Sequence, residues 1–495
     1  MLFNSLEFLV FLPITFIVFW LIPNRWRWIP ALIASYFFYM YWNPKLVFLI
    51  VFTTIVSYVC GVLLETHKNR PAIKKLIVSI TLIACLGVLL FFKYFNFIYD
   101  TFFDVAVLFG HGNPAGYFSI ILPVGISFYT FQTASYVIDV YKSDIKAERH
   151  IGYFALFVIF FPQLVAGPIE RPGNLIPQLK AEKSIKKLDY SGAFRFMLVG
   201  FFKKIAVADF IGIIVNKTYE NIESANGLSA IISTALFAIQ IYCDFSGYSD
   251  IAVGCAKLFG VELTENFNTP YVSKSIKEFW NRWHISLSRW LRDYIYFPLG
   301  GSRVKKLRWA FNLTLVFFIS GLWHGASYNF IIWGLLHALF QIFGAVTLSG
   351  RNKLWKKLGK EPDSKFVSSV RVVCTCLLVG FAWIFFRAAT PTGAITVIRK
   401  IFTDYSFSFK YLQDTVSFLE LTIPKVIYTL FSIGMMFFLE KIKYHDETKK
   451  LTNRSNGLYS ALRFASYAIM IWCIICVWIT LQAAEIGSSF IYFQF

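Results

Sequence analysis

The chain has 495 residues, of which 57% are hydrophobic, 19% aromatic and 15% charged, with a formal net charge of +20. A mean hydropathy of +0.58 and 55 phenylalanines exclude an ordinary soluble domain, whose apolar side chains must hide behind a polar shell. The basic excess does not point to nucleic acid, because Lys and Arg fall in short loops between apolar runs. There they orient a polytopic membrane protein and attract anionic lipid head groups, so membrane lipids are the expected partners of this charge.

A membrane span needs about 20 apolar residues, fewer where a helix is re-entrant or shielded by protein. By that rule spans are expected near 6–22, 29–43, 46–64, 76–98, 118–140, 192–215, 227–243, 309–323, 328–348, 370–388, 426–440 and 461–483. The first has no basic leader region or small-residue cleavage site and is read as a retained helix. Tyr153 to Val165 reads as re-entrant or interfacial, because basic loops flank it on both sides. The fold class is therefore an all-α polytopic membrane protein with roughly 11–13 transmembrane or re-entrant helices.

The loops sort by charge. Arg25 and Arg27 follow the first span, and Lys68, Arg70, Lys74 and Lys75 precede the one near 76, whereas Tyr99 to Tyr117 holds no Lys or Arg. Later basic loops are Tyr141 to His150, Ile169 to Ser191, Val261 to Arg308, Arg351 to Arg371 and Lys441 to Arg454. The positive-inside rule assigns these to the cytoplasm, which puts both termini and the loop Thr403 to Lys425 outside.

Polar groups concentrate in one window, residues 240–340. It holds CDFSGYSD (Cys243 to Asp250), ENFNTPY (Glu265 to Tyr271), EFWNRWHISLSRWLRDYIYFPLGG (Glu278 to Gly301) and GLWHGASYNFIIWGLLHA (Gly321 to Ala338). Polar groups are costly within a bilayer, so this clustering marks a functional-site hypothesis. His284 and His324 each follow a tryptophan, Trp283 and Trp323. A neutral imidazole can take a proton from a hydroxyl and return it to a leaving group, as acyl transfer requires; two hydrogen-bonded packing histidines fit the same pattern.

Other polar residues carry two readings each. Lys203, Lys204 and Asp209, with Asp244 and Asp250, form either a polar wall around a substrate path or glue between helices, the lysines alternatively snorkelling to the interface. Asn266, Asn268 and Arg282 could meet the phosphates of an acyl donor, although a basic loop also follows from topology alone. His337 reads as a core histidine; His67, His111, His150 and His445 read as loop residues. The cysteine pairs Cys374/Cys376 and Cys473/Cys476 lie in apolar helices without acidic or histidine neighbours, so neither a disulfide framework nor a metal site is expected. No Walker A loop, Rossmann glycine pattern or H-E-x-x-H is present.

The opening MLFNSLEFLVFLP, SYVIDVYK (Ser135 to Lys142), FFPQLVAGPIERP (Phe160 to Pro172), CDFSGYSDIAVG, FWNRWHISLSRWLRDYIYFPLGG, GLWHGA and the final FIYFQF extend over the whole chain. Together they resemble the membrane-bound O-acyltransferase (MBOAT) family, in the bacterial branch that O-acetylates extracytoplasmic polysaccharides such as alginate and peptidoglycan. The resemblance implies one MBOAT-type membrane domain over 1–495, built around a central tunnel with His324 near its middle and His284 required on the cytoplasmic side. It implies no bound cofactor, acetyl-CoA as acyl donor, and a bacterial cytoplasmic membrane location.

The tip at 484–495 reads from physics alone as an interfacial aromatic anchor. It also resembles the tip of a small companion protein of teichoic acid D-alanylation whose tyrosine is held to carry the acyl group, which makes Tyr492 the candidate carrier. A phenol with a pKa of about 10 needs a base within hydrogen-bond reach to become a nucleophile. On this reading His324 is that base, His284 positions or activates the donor, and Trp323, Asp244, Asn266, Asn268 and Arg282 line the substrate path. The chain lacks a G-x-S-x-G elbow, so final transfer to the polysaccharide acceptor is expected to need an extracytoplasmic acetyltransferase partner. A transporter or flippase without covalent chemistry, an acyltransferase acting on a lipid or protein, and a structural scaffold are the alternatives.

Overall fold

The computed structural model describes residues 1–109, 120, 123–164, 167–448 and 457–483. It is 79% helical, without a strand among the described residues. Seven helices there are long and apolar enough to cross a membrane: Pro44–Thr66, Pro71–Val107, Gly227–Leu258, Tyr328–Val346, Lys365–Arg387, Ile423–Lys441 and Arg463–Ala483. Leu6–Leu21 and Ile151–Leu164 are shorter apolar helices. The protein is thus an all-α, multi-pass membrane protein. Hydrocarbon offers no hydrogen-bond partners, so each span satisfies its backbone within itself. Side chains such as Leu9, Val10, Ile14 and Ile17 on the first helix stay exposed, as a lipid-facing surface requires.

Several boundaries differ from those expected. The helix expected to end near 243 runs on from Gly227 to Leu258, straight through Cys243 to Asp250. Its hydropathy falls there, but paired polar residues do not break a helix. The segment expected at 76–98 becomes a 37-residue run, Pro71–Val107. At 1.5 Å per residue it is about 55 Å long, well beyond a hydrocarbon core of about 30 Å, so part of it must stand outside the core. Tyr153 to Val165 becomes two short helices, Ile151–Ile159 and Phe161–Leu164, separated at Phe160, whose ψ of 110° leaves the helical region. The loop expected from Thr403 to Lys425 contains the helix Phe409–Phe418, preceded by Pro391–Thr403.

The chain divides into two compact units, residues 1–197 with 251–265, and residues 198–250 with 266–495. In the first, the opening motif is core: Phe3, Phe8 and Phe38 are buried with rings 4.9–6.2 Å apart. Tyr136 of the SYVIDVYK motif is buried and accepts a hydrogen bond from the Glu148 amide at 3.0 Å.

In the second unit, Gly247 of the CDFSGYSD motif lies so close to the Gly200 carbonyl that a Cβ would meet it at 2.7 Å. That contact brings the helix against the π-helical turn Phe202–Asp209. Lys203 then pairs with Asp250 at 2.9 Å and Glu440 at 3.9 Å, and Lys204 with Asp209 at 2.7 Å and Asp244 at 2.6 Å. Tyr242 hydrogen-bonds Glu440. The lysines are buried in ion pairs between helices and do not snorkel.

Removing one member of such a cluster strands the others. Lys204→Met should lower stability by about 3–5 kcal/mol, because it leaves Asp209 and Asp244 facing each other. Lys204→Arg should lose less. Thermal unfolding of the detergent-purified chain measures both; an unchanged midpoint for Lys204→Met would show that the pairs contribute nothing.

Candidate active site

Two short helices and one hairpin form the site within the second unit. Ile276–Arg282, capped by the Ser275 hydroxyl on the Glu278 amide, stops at Trp283, whose backbone is extended. His284 then adopts a left-handed conformation, φ 43° and ψ 55°, before Ile285–Leu291 begins. A non-glycine residue there costs on the order of 1–2 kcal/mol, so something must hold it. Asn266 does: its carbonyl accepts from the Ile285 amide at 2.9 Å, and its side-chain Oδ1 accepts from the Ser286 amide at 3.1 Å and the Ser286 hydroxyl at 2.9 Å.

That clamp fixes a tautomer. A backbone N–H must donate, so the Asn266 atom facing Ser286 is the oxygen and not the amide nitrogen. The His284 Nδ1 lies 3.2 Å from the same oxygen and must therefore carry the hydrogen. Its lone pair is left on Nε2, the other side of the ring.

His324 is the last residue of Lys306–His324, and the extended Gly325 ends that helix. Ser327 caps the next, Tyr328–Val346, on the Asn329 amide. The two helices approach backbone to backbone at Gly321, against the Phe330 carbonyl, and at Gly334, against the Phe317 carbonyl. The hairpin sets the His324 ring 6.4 Å, centroid to centroid, from that of His284. Both histidines are buried.

Aromatic rings wall the pair. Phe245 meets His284 edge-on at 4.6 Å, Trp323 lies 5.6 Å from His284, and Trp333 and Phe386 lie 4.9 and 5.3 Å from His324. Such walls exclude water and strengthen every polar interaction made inside them. The arrangement offers two buried imidazoles among aromatic rings, one with its proton position fixed, suited to moving a proton between reacting groups. His337 sits beyond Trp333, at 4.9 Å, and its Nδ1 accepts from the Trp280 indole at 3.2 Å, as a core histidine would.

The other expected residues separate. Trp323 borders the pair. Asn266 is buried at 2% exposure and engaged with His284 and Ser286, so it is not an open amide awaiting a phosphate. Asp244 is committed to Lys204, while its neighbour Phe245 touches His284. Arg282 is half-buried: it pairs with Glu278 at 3.1 Å and bonds the Asn268 carbonyl at 3.3 Å and the Thr269 hydroxyl at 3.2 Å. Tyr492 lies outside the described residues. The fold adds Ser286, Phe245, Trp333 and Phe386 to the site. Ser286, Phe245 and Trp333 fall within the runs of the 240–340 window, although nothing local says that they meet; Phe386 is brought in from elsewhere in the chain. No group of three metal-binding side chains occurs among the described residues.

Residues 146–357 match the membrane-bound O-acyltransferase family. Over 406 residues, 81% of this chain and 75% of the relative, the sequence is 38% identical to a probable alginate O-acetylase of Pseudomonas aeruginosa. It is 33% identical to the Pseudomonas putida probable alginate O-acetylase over the full length of both chains. A Helicobacter pylori peptidoglycan O-acetyltransferase is 34% identical, over 81% of this chain and 79% of its own.

The tautomer can be read directly. In nitrogen-15 NMR of histidine-labelled protein, His284 should show a protonated Nδ1 and an unprotonated Nε2, and Asn266→Ala should abolish that preference. A proton on Nε2 in the wild type would contradict the clamp.

Proposed function

The chain belongs to the membrane-bound O-acyltransferase family and is an O-acyltransferase, and from that premise we propose that it draws acetyl groups from cytoplasmic acetyl-CoA and delivers them for O-acetylation of an extracytoplasmic polysaccharide. The observation that carries this reading is the buried pair His284 and His324, with the ring of His284 fixed by Asn266. The names of the relatives, alginate O-acetylase and peptidoglycan O-acetyltransferase, support acetyl as the group and a polysaccharide as the acceptor. Residues 1–495 are read as one membrane domain, with a tunnel along which the acyl group passes.

The chemistry is an addition and an elimination. The acceptor hydroxyl gives its proton to the His324 imidazole as its oxygen attacks the thioester carbonyl; the tetrahedral intermediate collapses, the C–S bond breaks, and the thiolate takes the proton back from the imidazolium. His284 Nε2, an acceptor by virtue of its tautomer, positions an amide N–H of the donor's pantetheine arm. Arg282, beside Asn268, is the cation that meets the donor's phosphates. Tyr492 is the first acceptor and holds the acetyl group as a phenyl ester, reactive enough to pass to a sugar hydroxyl. In this way acetyl crosses the bilayer while the charged donor does not.

Charge in the loops supports an orientation with the basic side in the cytoplasm of a bacterial inner membrane and both termini outside. The final acceptor step then falls to an extracytoplasmic acetyltransferase partner.

Intact-mass and peptide mass spectrometry after exposure to isotope-labelled acetyl-CoA tests the proposal. Label should appear on the C-terminal peptide of the wild type and vanish in Tyr492→Phe; His324→Ala should slow labelling by about 10²–10⁴-fold, the range of a lost acid–base group, and His284→Ala by about tenfold, the loss of one positioning hydrogen bond. Acetyl reaching a partner from unlabelled enzyme would remove the tyrosine ester. Full-rate labelling in both histidine variants would remove the mechanism.

A further inference from the structure

The first compact unit carries a second polar feature that the acyl-transfer reading does not use. Where the apolar helix Leu6–Leu21 ends, the chain turns through residues 24–26, and Arg27 folds back over Trp20, its guanidinium carbon 4.4 Å from the ring centroid. Arg27 donates to the Ile22 carbonyl at 2.9 Å, to the Asn24 side chain, and to the Lys183 carbonyl at 2.8 Å. The Lys183 ammonium donates to the Phe259 carbonyl at 3.1 Å, and the Lys183 amide to Asn24 Oδ1 at 3.2 Å. Trp20 ties the corner to the Leu258 carbonyl at 3.1 Å.

Every hydrogen-bond acceptor in this corner is a neutral oxygen. Neither Arg27 nor Lys183 has a carboxylate partner among the described residues. Several other cations outside the spans do meet carboxylates: Arg149 with Glu65, Lys180 with Glu148, Lys257 with Asp189 and Arg292 with Asp293. Here two like charges converge on one recess, lined by Asn24, Arg27, Trp28, Phe160, Lys183 and Phe259 among others. Burial, and then the neighbouring Arg27 charge, pull the Lys183 ammonium down to about 8. An anion between the two cations would remove that cost.

We infer that this recess binds a phosphate group, the headgroup phosphate of a membrane phospholipid. Two remaining Lys183 hydrogens and the Nη2 hydrogens of Arg27 match the acceptor oxygens of a phosphodiester. The enclosed part of the recess, about 20 Å³, has room for one or two oxygen atoms of such a group. The recess opens at the end of a lipid-facing helix: Leu21 and Trp26 beside it are 78% and 47% exposed, and a tryptophan at that level marks the headgroup boundary. The anion that is abundant at such a boundary is a lipid phosphate. This inference does not depend on the proposed acyl-transfer chemistry.

The test uses the full chain, reconstituted in nanodiscs containing phosphatidylglycerol, then released into detergent for native mass spectrometry. The wild type should retain one phospholipid, and Arg27→Gln/Lys183→Gln should retain it at least about tenfold less, the loss of one charge-assisted contact. Arg27→Lys/Lys183→Arg, which keeps both charges, should hold more lipid than the neutral pair. Should the double variant fail to fold, Lys183→Gln alone is scored the same way. Displacement of the lipid by millimolar inorganic phosphate would keep the phosphate site but make free phosphate its ligand, overturning the lipid assignment. Equal lipid retention by the wild type and the neutral variants would overturn the site altogether.

Discussion

A polar group that enters hydrocarbon must find its partner within the chain, because no solvent is there to supply one. Much of the second unit is arranged around that constraint. The lysines of the Phe202–Asp209 turn are met by Asp209, Asp244, Asp250 and Glu440, and the glycine at 247 exists where the helices must touch for those pairs to close. The cluster holds two lysines against four carboxylates. Its value lies in what would follow from breaking it, since an unpaired buried charge costs more than the intact pair contributes.

The histidine pair obeys the same constraint by other means. Asn266 uses one oxygen for Ser286 and His284 and its backbone carbonyl for Ile285, so a single residue holds the strained turn, the start of the next helix and the imidazole. Neutral partners hold the ring without adding charge to it. A carboxylate in place of Asn266 would fix the same tautomer but favour the imidazolium, which has no acceptor left at Nε2. The aromatic wall completes the design, because rings fill space without offering a competing acceptor.

How much of this can be read from the sequence depends on whether the signal is local. Apolar runs report most of the helices, and the position of His284 and His324 inside W-H contexts marks the site. Hydropathy ends the Gly227–Leu258 helix too early because it counts Asp244 and Asp250 as exposed, whereas ion pairing hides them. Asn266 reads as a phosphate ligand for the same reason: an asparagine in a basic loop looks solvated until the fold brings it back onto Ser286, 20 residues on. Phe386 cannot be found from sequence, since it reaches His324 from another helix and carries no pattern of its own, whereas Trp333 stands inside the 321–338 run with nothing local to show that it turns toward His324.

The histidine site and the Arg27 corner differ in the charge they hold, and that difference argues for what each one meets. Around His284 the clamp is built from neutral groups, the Asn266 carboxamide and the Ser286 amide and hydroxyl, which hold the ring without adding charge to it. Around Arg27 and Lys183 two positive charges face neutral oxygens only, a condition that a resident anion relieves and proton transfer does not. A phosphate bound where the first helix meets the head groups would hold the helix end through the lipid itself.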